Sequence, residues 1–209
     1  MSTARENILK KIKQALVTKV PVPFSTHTET PSLFQPSRKE LEIEFAEHFT
    51  SLQGRFSFCA NQQELTEQLS QLFTNRKWEK IYCIDAQIQD MLTKSGMPLK
   101  PYNDLASCDA SITGCELLVA RTGSIFLSNA TSSGRTTSVY APIHICIAHT
   151  SQLVYSLEDA LLNLTNKYGN QLPSVLSLAT GPSRTADIEK TLVVGVHGPK
   201  EVYCFLIDE

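Results

Sequence analysis

The apolar run at 80–85, Lys-Ile-Tyr-Cys-Ile-Asp, is what a strand buried in a parallel sheet requires, and it sits between two segments of helical periodicity. On its N-terminal side a short strand is expected at 56–59. Asn61 then opens a helix with Glu64 in capping-box position and Leu65, Leu69, Leu72 and Phe73 on one face. On the other side, a helix over 86–95 gathers Ile88, Met91 and Leu92 and stops at Gly96-Met97-Pro98. Strand, helix, strand, helix in this rhythm predicts an α/β fold with a mainly parallel sheet and helices on both faces.

The flanks extend this pattern. Residues 2–19 read as a helix with Ile8, Leu9, Ile12, Ala15 and Leu16 along one stripe, followed by a linker carrying Pro21, Pro23, Pro31 and Pro36. The expected division is a 1–36 helix and Pro-rich linker ahead of a 37–209 α/β domain. A second helix is expected at 38–53, with Leu41, Phe45, Phe49 and Leu52 inward. Short β-like runs follow at 109–113, 117–120 and 124–129, then a polar loop at 131–137. In the run 143–149 the period of two sets Ile143, Ile145 and Ile147 against His144, Cys146 and Ala148. Ser156 with Asp159 caps a helix that ends at Gly169. Strands close the chain at 175–179, 192–196 and 202–207, the last two apolar on both faces and so expected inside the sheet.

Several function classes are disfavoured at once. The 19 Lys and Arg against 21 Asp and Glu leave no basic excess for a nucleic-acid backbone. No apolar run reaches the ~20 residues of a spanning helix. The first seven residues lack the apolar core of a signal peptide, so a cytoplasmic protein without a membrane span is expected. The six cysteines are scattered with no CxxC and read as small buried hydrophobes, with no iron–sulfur or zinc site expected. His144 and His149, five apart on a strand, point to opposite faces and cannot share a metal. The sequence holds no GxG, GxxxxGK[ST], HExxH or GxSxG pattern, so no resident cofactor is expected.

Two polar segments interrupt the apolar strands. The first runs Thr180-Gly181-Pro182-Ser183-Arg184-Thr185-Ala186-Asp187-Ile188-Glu189. Here glycine can turn backbone amides toward an anion, Ser183 and Thr185 add hydroxyls, and Arg184 offers a planar fork for carboxylate or phosphate. The same residues also suit a plain connection in which Arg184 pairs with Asp187 or Glu189. The second is Thr122-Gly123-Ser124, either a tight turn or a further wall of the same cleft. Glu116 is the one carboxylate in its apolar neighbourhood and a candidate for acid–base work. His197, at a strand end before Gly198-Pro199, is the other catalytic candidate.

Gly181-Pro182-Ser183-Arg184-Thr185-Ala186-Asp187-Ile188-Glu189 followed by Gly195-Val196-His197-Gly198-Pro199 resembles the C-terminal signature of the LUD-domain family, nearest its lactate utilisation (LutC/YkgG-like) branch. Thr122-Gly123-Ser124 is similar to an upstream element of that family, with Arg121 standing where an acidic residue is usual. The resemblance implies a fold like the NagB/RpiA/CoA-transferase group. It also implies a part in oxidising L-lactate to pyruvate beside iron–sulfur partner subunits. Taking two electrons from lactate needs a redox cofactor, and no motif here provides one, so an accessory or substrate-handling role is expected. A small-molecule transferase or ligase, like other members of the fold group that include 5-formyltetrahydrofolate cyclo-ligases, is the alternative.

Overall fold

The computed structural model describes residues 3–17, 39–100, 102–131, 133–188 and 191–208. The chain divides into two units, Met1–Gln35 and Pro36–Glu209. In the first, the described residues form α1 (Ala4–Val17), whose opening turn is closed by reciprocal bonds between Thr3 and Glu6. The linker at 20–36 lies outside the described residues.

The second unit runs α2 (Leu41–Ser51), β1 (Arg55–Cys59), α3 (Gln62–Arg76), β2 (Ile81–Tyr82) and α4 (Ala86–Lys94). It continues with β3 (Ala110–Thr113), β4 (Leu117–Val119), β5 (Ser124–Ser128), α5 (Thr137–Tyr140), β6 (Ile143–His149) and β7 (Leu153–Val154). It closes with α6 (Leu157–Tyr168), β8 (Leu176–Ala179), β9 (Arg184–Ile188), β10 (Thr191–Val194) and β11 (Glu201–Ile207). The caps read from the sequence are present. Asn61 accepts from the Glu64 amide while Glu64 takes the Ala60 amide, and Ser156 and Asp159 form a capping box.

Five strands make one wholly parallel sheet in the order β1-β11-β6-β3-β2. Its two faces carry side chains of different size. Ile143, Ile145, Ile147, Tyr203, Phe205 and Ile207 face one way and meet Leu65, Leu69 and Phe73 of α3 and Ile88 and Leu92 of α4. Cys146, Ala148, Val202 and Cys204 face the other way, between His144 at the amino end of that face and Leu206 at its carboxyl end. These smaller residues leave room for α2, through Phe45 and Phe49, and for a second sheet. That sheet has the order β7-β4-β5-β8, with β5 antiparallel to both neighbours, and α6 covers its outer side through Ala160 and Leu164. The α/β fold with its parallel central sheet and helices is therefore the one the sequence predicts. One expected sheet has become two sheets and a separate two-stranded ribbon, with β8 in the four-stranded sheet.

The strand expected at 192–196 is the clearest departure. Among the described residues, β10 pairs only with β9, in an antiparallel ribbon, and of the two strands β11 alone enters the parallel sheet. The segment 184–188, expected as loop, forms the other strand of that ribbon. The apolar residues of 192–196 do not give it the interior place expected, since Val194 and Val196 are 38% and 44% exposed.

Candidate functional site

Two of the cavities at the ends of the parallel strands have candidate residues other than His197 and Gly198 in their walls, and those two also border a third, of about 600 Å³, beside Pro142 and Lys200. The first, about 490 Å³, opens at their carboxyl ends, where α/β sheets bind ligands. Gly114, Cys115 and Glu116 follow β3, Asp85 follows β2, and His149 ends β6, so strand order alone brings these residues together. Glu116 is 5% exposed. One of its oxygens accepts from Ser128 and from the Tyr168 hydroxyl at 2.7 Å, and the other from Lys167 Nζ at 2.8 Å. Burial pushes this carboxyl up, but the bonds from Lys167, Ser128 and Tyr168 outweigh it and hold it below the ordinary glutamate range. Glu116 is thus an ionised carboxylate whose oxygens are already met by three donors. That arrangement suits a fixed charge better than a proton acceptor.

The second cavity, about 280 Å³, lies between the two sheets at the amino ends of β6 and β11. Thr180, Gly181, Ser183, His197, Gly198 and His144 are among its walls. The segments around Ser183 and Gly198 are tied together by backbone bonds, the Ser183 amide donating to the Pro199 carbonyl at 2.9 Å and the Gly195 amide to the Ser183 carbonyl at 2.9 Å. Gly198 is required by the closeness of the pair, since a Cβ there would stand 2.8 Å from Ser183 Cβ. His144 closes the inner wall. It is 1% exposed, its Nε2 lies 2.8 Å from Thr113 Oγ1, and its Nδ1 is buried without a hydrogen-bond partner. Burial pushes this imidazole down to about 4, so it is neutral near pH 7.

The structure separates the residues singled out from the sequence into two groups. Gly181, Ser183, His197 and Gly198 line the second cavity together. Thr122, Gly123, Ser124 and Arg184 turn instead toward α2 or toward each other. Gly123 has φ +58°, and a Cβ on it would meet Phe49 N at 2.4 Å. The Arg184 guanidinium donates to the Leu52 carbonyl just past the end of α2. Ser124 Oγ joins Thr122 Oγ1 at 2.8 Å and Thr180 Oγ1 at 2.9 Å, which links the turn to the cavity wall through Thr180. Thr185 lies in the ribbon opposite Val193. The side chain of Asp187 and all of Glu189 lie outside the described residues. Glu116 belongs to the other cavity, at the opposite end of the sheet.

The sequence weighs His144 only as a metal ligand beside His149 and not as a binding residue, although its alternation with Cys146 and Ala148 inside an apolar strand is a visible signal. Lys167 and Tyr168 gave no signal, because only the packing of α6 brings them to Glu116. His149 lies at the far end of β6 from His144 and lines the first cavity. All six cysteines are buried and free, as expected of small core residues. Among the described residues, no helix is long and apolar enough to cross a membrane.

Known proteins resemble this chain in family, sequence and fold. A family model described as the LUD domain matches residues 43–207. An uncharacterised protein of Neisseria meningitidis serogroup B is 34% identical over 99 residues, which are 47% of this chain and 42% of that protein. Proteins named lactate utilization protein C match similarly, at 35% over 105 residues in Bacillus mycoides (49% of this chain, 45% of the relative) and 33% over 103 residues in Bacillus subtilis (48% and 43%). The matches thus span a little under half the length of these relatives. A crystal structure of a DUF162 family protein from Deinococcus radiodurans superposes with a TM-score of 0.61 at 21% identity, covering 83% of this chain and 99% of that one. It shows a shared fold.

Proposed function

This chain belongs to the LUD domain family, and from that membership we propose that it serves lactate utilisation as a substrate-handling component of an L-lactate-oxidising system, with iron–sulfur subunits as its partners. The observation that carries the reading is the cavity at the amino ends of β6 and β11. There the residues resembling the family signature, Gly181, Ser183, His197 and Gly198, surround a space of about 280 Å³. The Ser183 and Thr180 hydroxyls and the His197 imidazole give this space the hydrogen-bonding groups that a small carboxylate needs. The names of the relatives supply lactate as the first ligand to try.

On this reading the chain binds and positions a 2-hydroxy or 2-oxo acid, and the electrons pass to cofactors held by the partners. Thr122, Gly123, Ser124 and Arg184 serve the site indirectly, by fixing the turns that carry Thr180 and Gly181. The test has two arms. Lactate oxidation is assayed with the partner subunits, with and without this chain. Thermal melting of this chain alone is followed with lactate and pyruvate, either of which should raise the transition by mass action. Unchanged oxidation and unchanged melting together sink the reading.

The second reading, a small-molecule transferase or ligase, is favoured by the cavity at the carboxyl ends of the strands, with Glu116 in its wall. It predicts a melting shift with CoA or a nucleotide that is abolished by changing residues there. The three donors already fixed on Glu116 make it the lesser reading.

A further inference from the structure

His144 presents a neutral imidazole with one nitrogen bonded and the other buried without a partner. Leaving such a group unpaired is costly, and few native groups are left so. Ser133 Oγ is likewise buried without a partner, but Ser133 is not part of this cavity wall. His144 is, together with Val202, its register partner on β11. The bonded side matters as much as the empty one. Thr113 Oγ1 both donates and accepts, so it can pair with either tautomer of the ring.

Resting on the reading that this cavity takes a small carboxylate, we propose that His144 Nδ1 reads the oxygen on C2 of the ligand, making the site selective for 2-hydroxy and 2-oxo acids alike. With a 2-hydroxy acid, the ring carries its proton on Nε2, donates it to Thr113 Oγ1, and accepts the ligand's O–H at Nδ1. With a 2-oxo acid, Thr113 donates to Nε2, and Nδ1–H donates to the ligand's carbonyl. The threonine hydroxyl rotates and the ring exchanges tautomers, and no charge is created in either state. Burial, which keeps the imidazole neutral, makes both forms available. A lysine or arginine at this position could only donate, and would favour the oxo acid.

Propionate, which has the same carboxylate and chain length but no oxygen on C2, is the discriminating ligand. Titrations of the parent protein should show lactate and pyruvate each binding about ten-fold or more tighter than propionate, the usual result of leaving a site's polar group unpaired. Gln at 144 places its amide near the Nε2 position and keeps the Thr113 bond, whereas Asn places one near Nδ1. His144→Gln should bring lactate and pyruvate down to the level of propionate, with propionate itself unchanged. His144→Asn should retain part of the preference.

Should either variant fail to fold, nitrogen-15 shifts of the His144 ring in the parent protein give the answer directly. Lactate should fix the Nε2–H tautomer and pyruvate the Nδ1–H tautomer. Propionate binding as tightly as lactate, or one ring tautomer under both ligands, overturns the assignment of His144 while leaving carboxylate binding intact. No binding by any of the three acids overturns both.

Discussion

Among individual residues, Glu116 couples stability to pH in a definite direction. Its carboxyl is held below the ordinary glutamate value of about 4.3. The stabilisation is therefore complete above that value and is lost as pH falls through the lower, folded one. Glu116→Gln should lose about 1–3 kcal/mol near neutral pH, and its deficit relative to the parent should shrink as the medium is taken below about pH 4. Denaturant titrations at pH 7 and pH 3.5 check this, and a deficit independent of pH would mean that packing, not charge, is what the substitution removes. Arg184 makes a contrasting case. Its bond to the Leu52 carbonyl is made at the surface, so Arg184→Ala should cost about 1 kcal/mol and lower the melting temperature by roughly 2–4 °C. Lactate affinity should stay within two-fold of the parent, and a ten-fold loss at unchanged stability would restore Arg184 to the binding site. The sequence marked both residues through their chemistry, as a lone carboxylate and a planar cation. It could not say what they touch, because Lys167 and Leu52 reach them only through tertiary packing.

At the level of elements, the strands and helices were largely legible, since each is announced by its own period and caps. Their assembly into sheets was not. The run at 175–179 has the same apolar character as the parallel strands, yet β8 pairs antiparallel with β5. What selects the second sheet is the small-residue face of β6 and β11, where Cys146, Ala148 and Cys204 allow close approach. That face becomes recognisable only once the two strands are known to be neighbours. The turn at Thr122-Gly123 was open to two readings, and the structure gives it a packing reason. Gly123 lies in the left-handed region against the backbone of α2, where an added Cβ would meet Phe49 N at 2.4 Å and the His48 carbonyl carbon at 2.6 Å. Neither can move as a side chain end would. Gly134 has φ +70° with nothing within 4 Å of a Cβ, so it isolates the conformational part of the effect. Gly134→Ala should cost about 1 kcal/mol, whereas Gly123→Ala should cost about 3 kcal/mol or more as α2 is displaced. Chemical denaturation of the two variants separates them, and equal losses would mean that α2 yields to the turn at little expense.

For the molecule as a whole, the distribution of its core decides what can be removed. Every residue in the three apolar clusters lies at or beyond Leu41, and the parallel sheet begins with β1 at Arg55. The division at Gln35–Pro36 falls ahead of all of them. A chain beginning at residue 37 keeps the interior of both sheets, the two cavities and the helix caps of α3 and α6. At about 170 residues it is also large enough to bury roughly 70% of its unfolded surface without staples. It should therefore melt cooperatively within about 3 °C of the full chain, a difference of less than roughly 1 kcal/mol, and give the same shift with lactate. Ile8, Leu9 and Ile12 give the helix at 4–17 an apolar stripe, and under the proposed function its loss should weaken co-purification with the proposed iron–sulfur partners while lactate binding does not change. A truncated chain that is molten or insoluble would instead make 1–36 part of the folding unit, and a truncated chain that still assembles fully would leave the helix without a role in the complex.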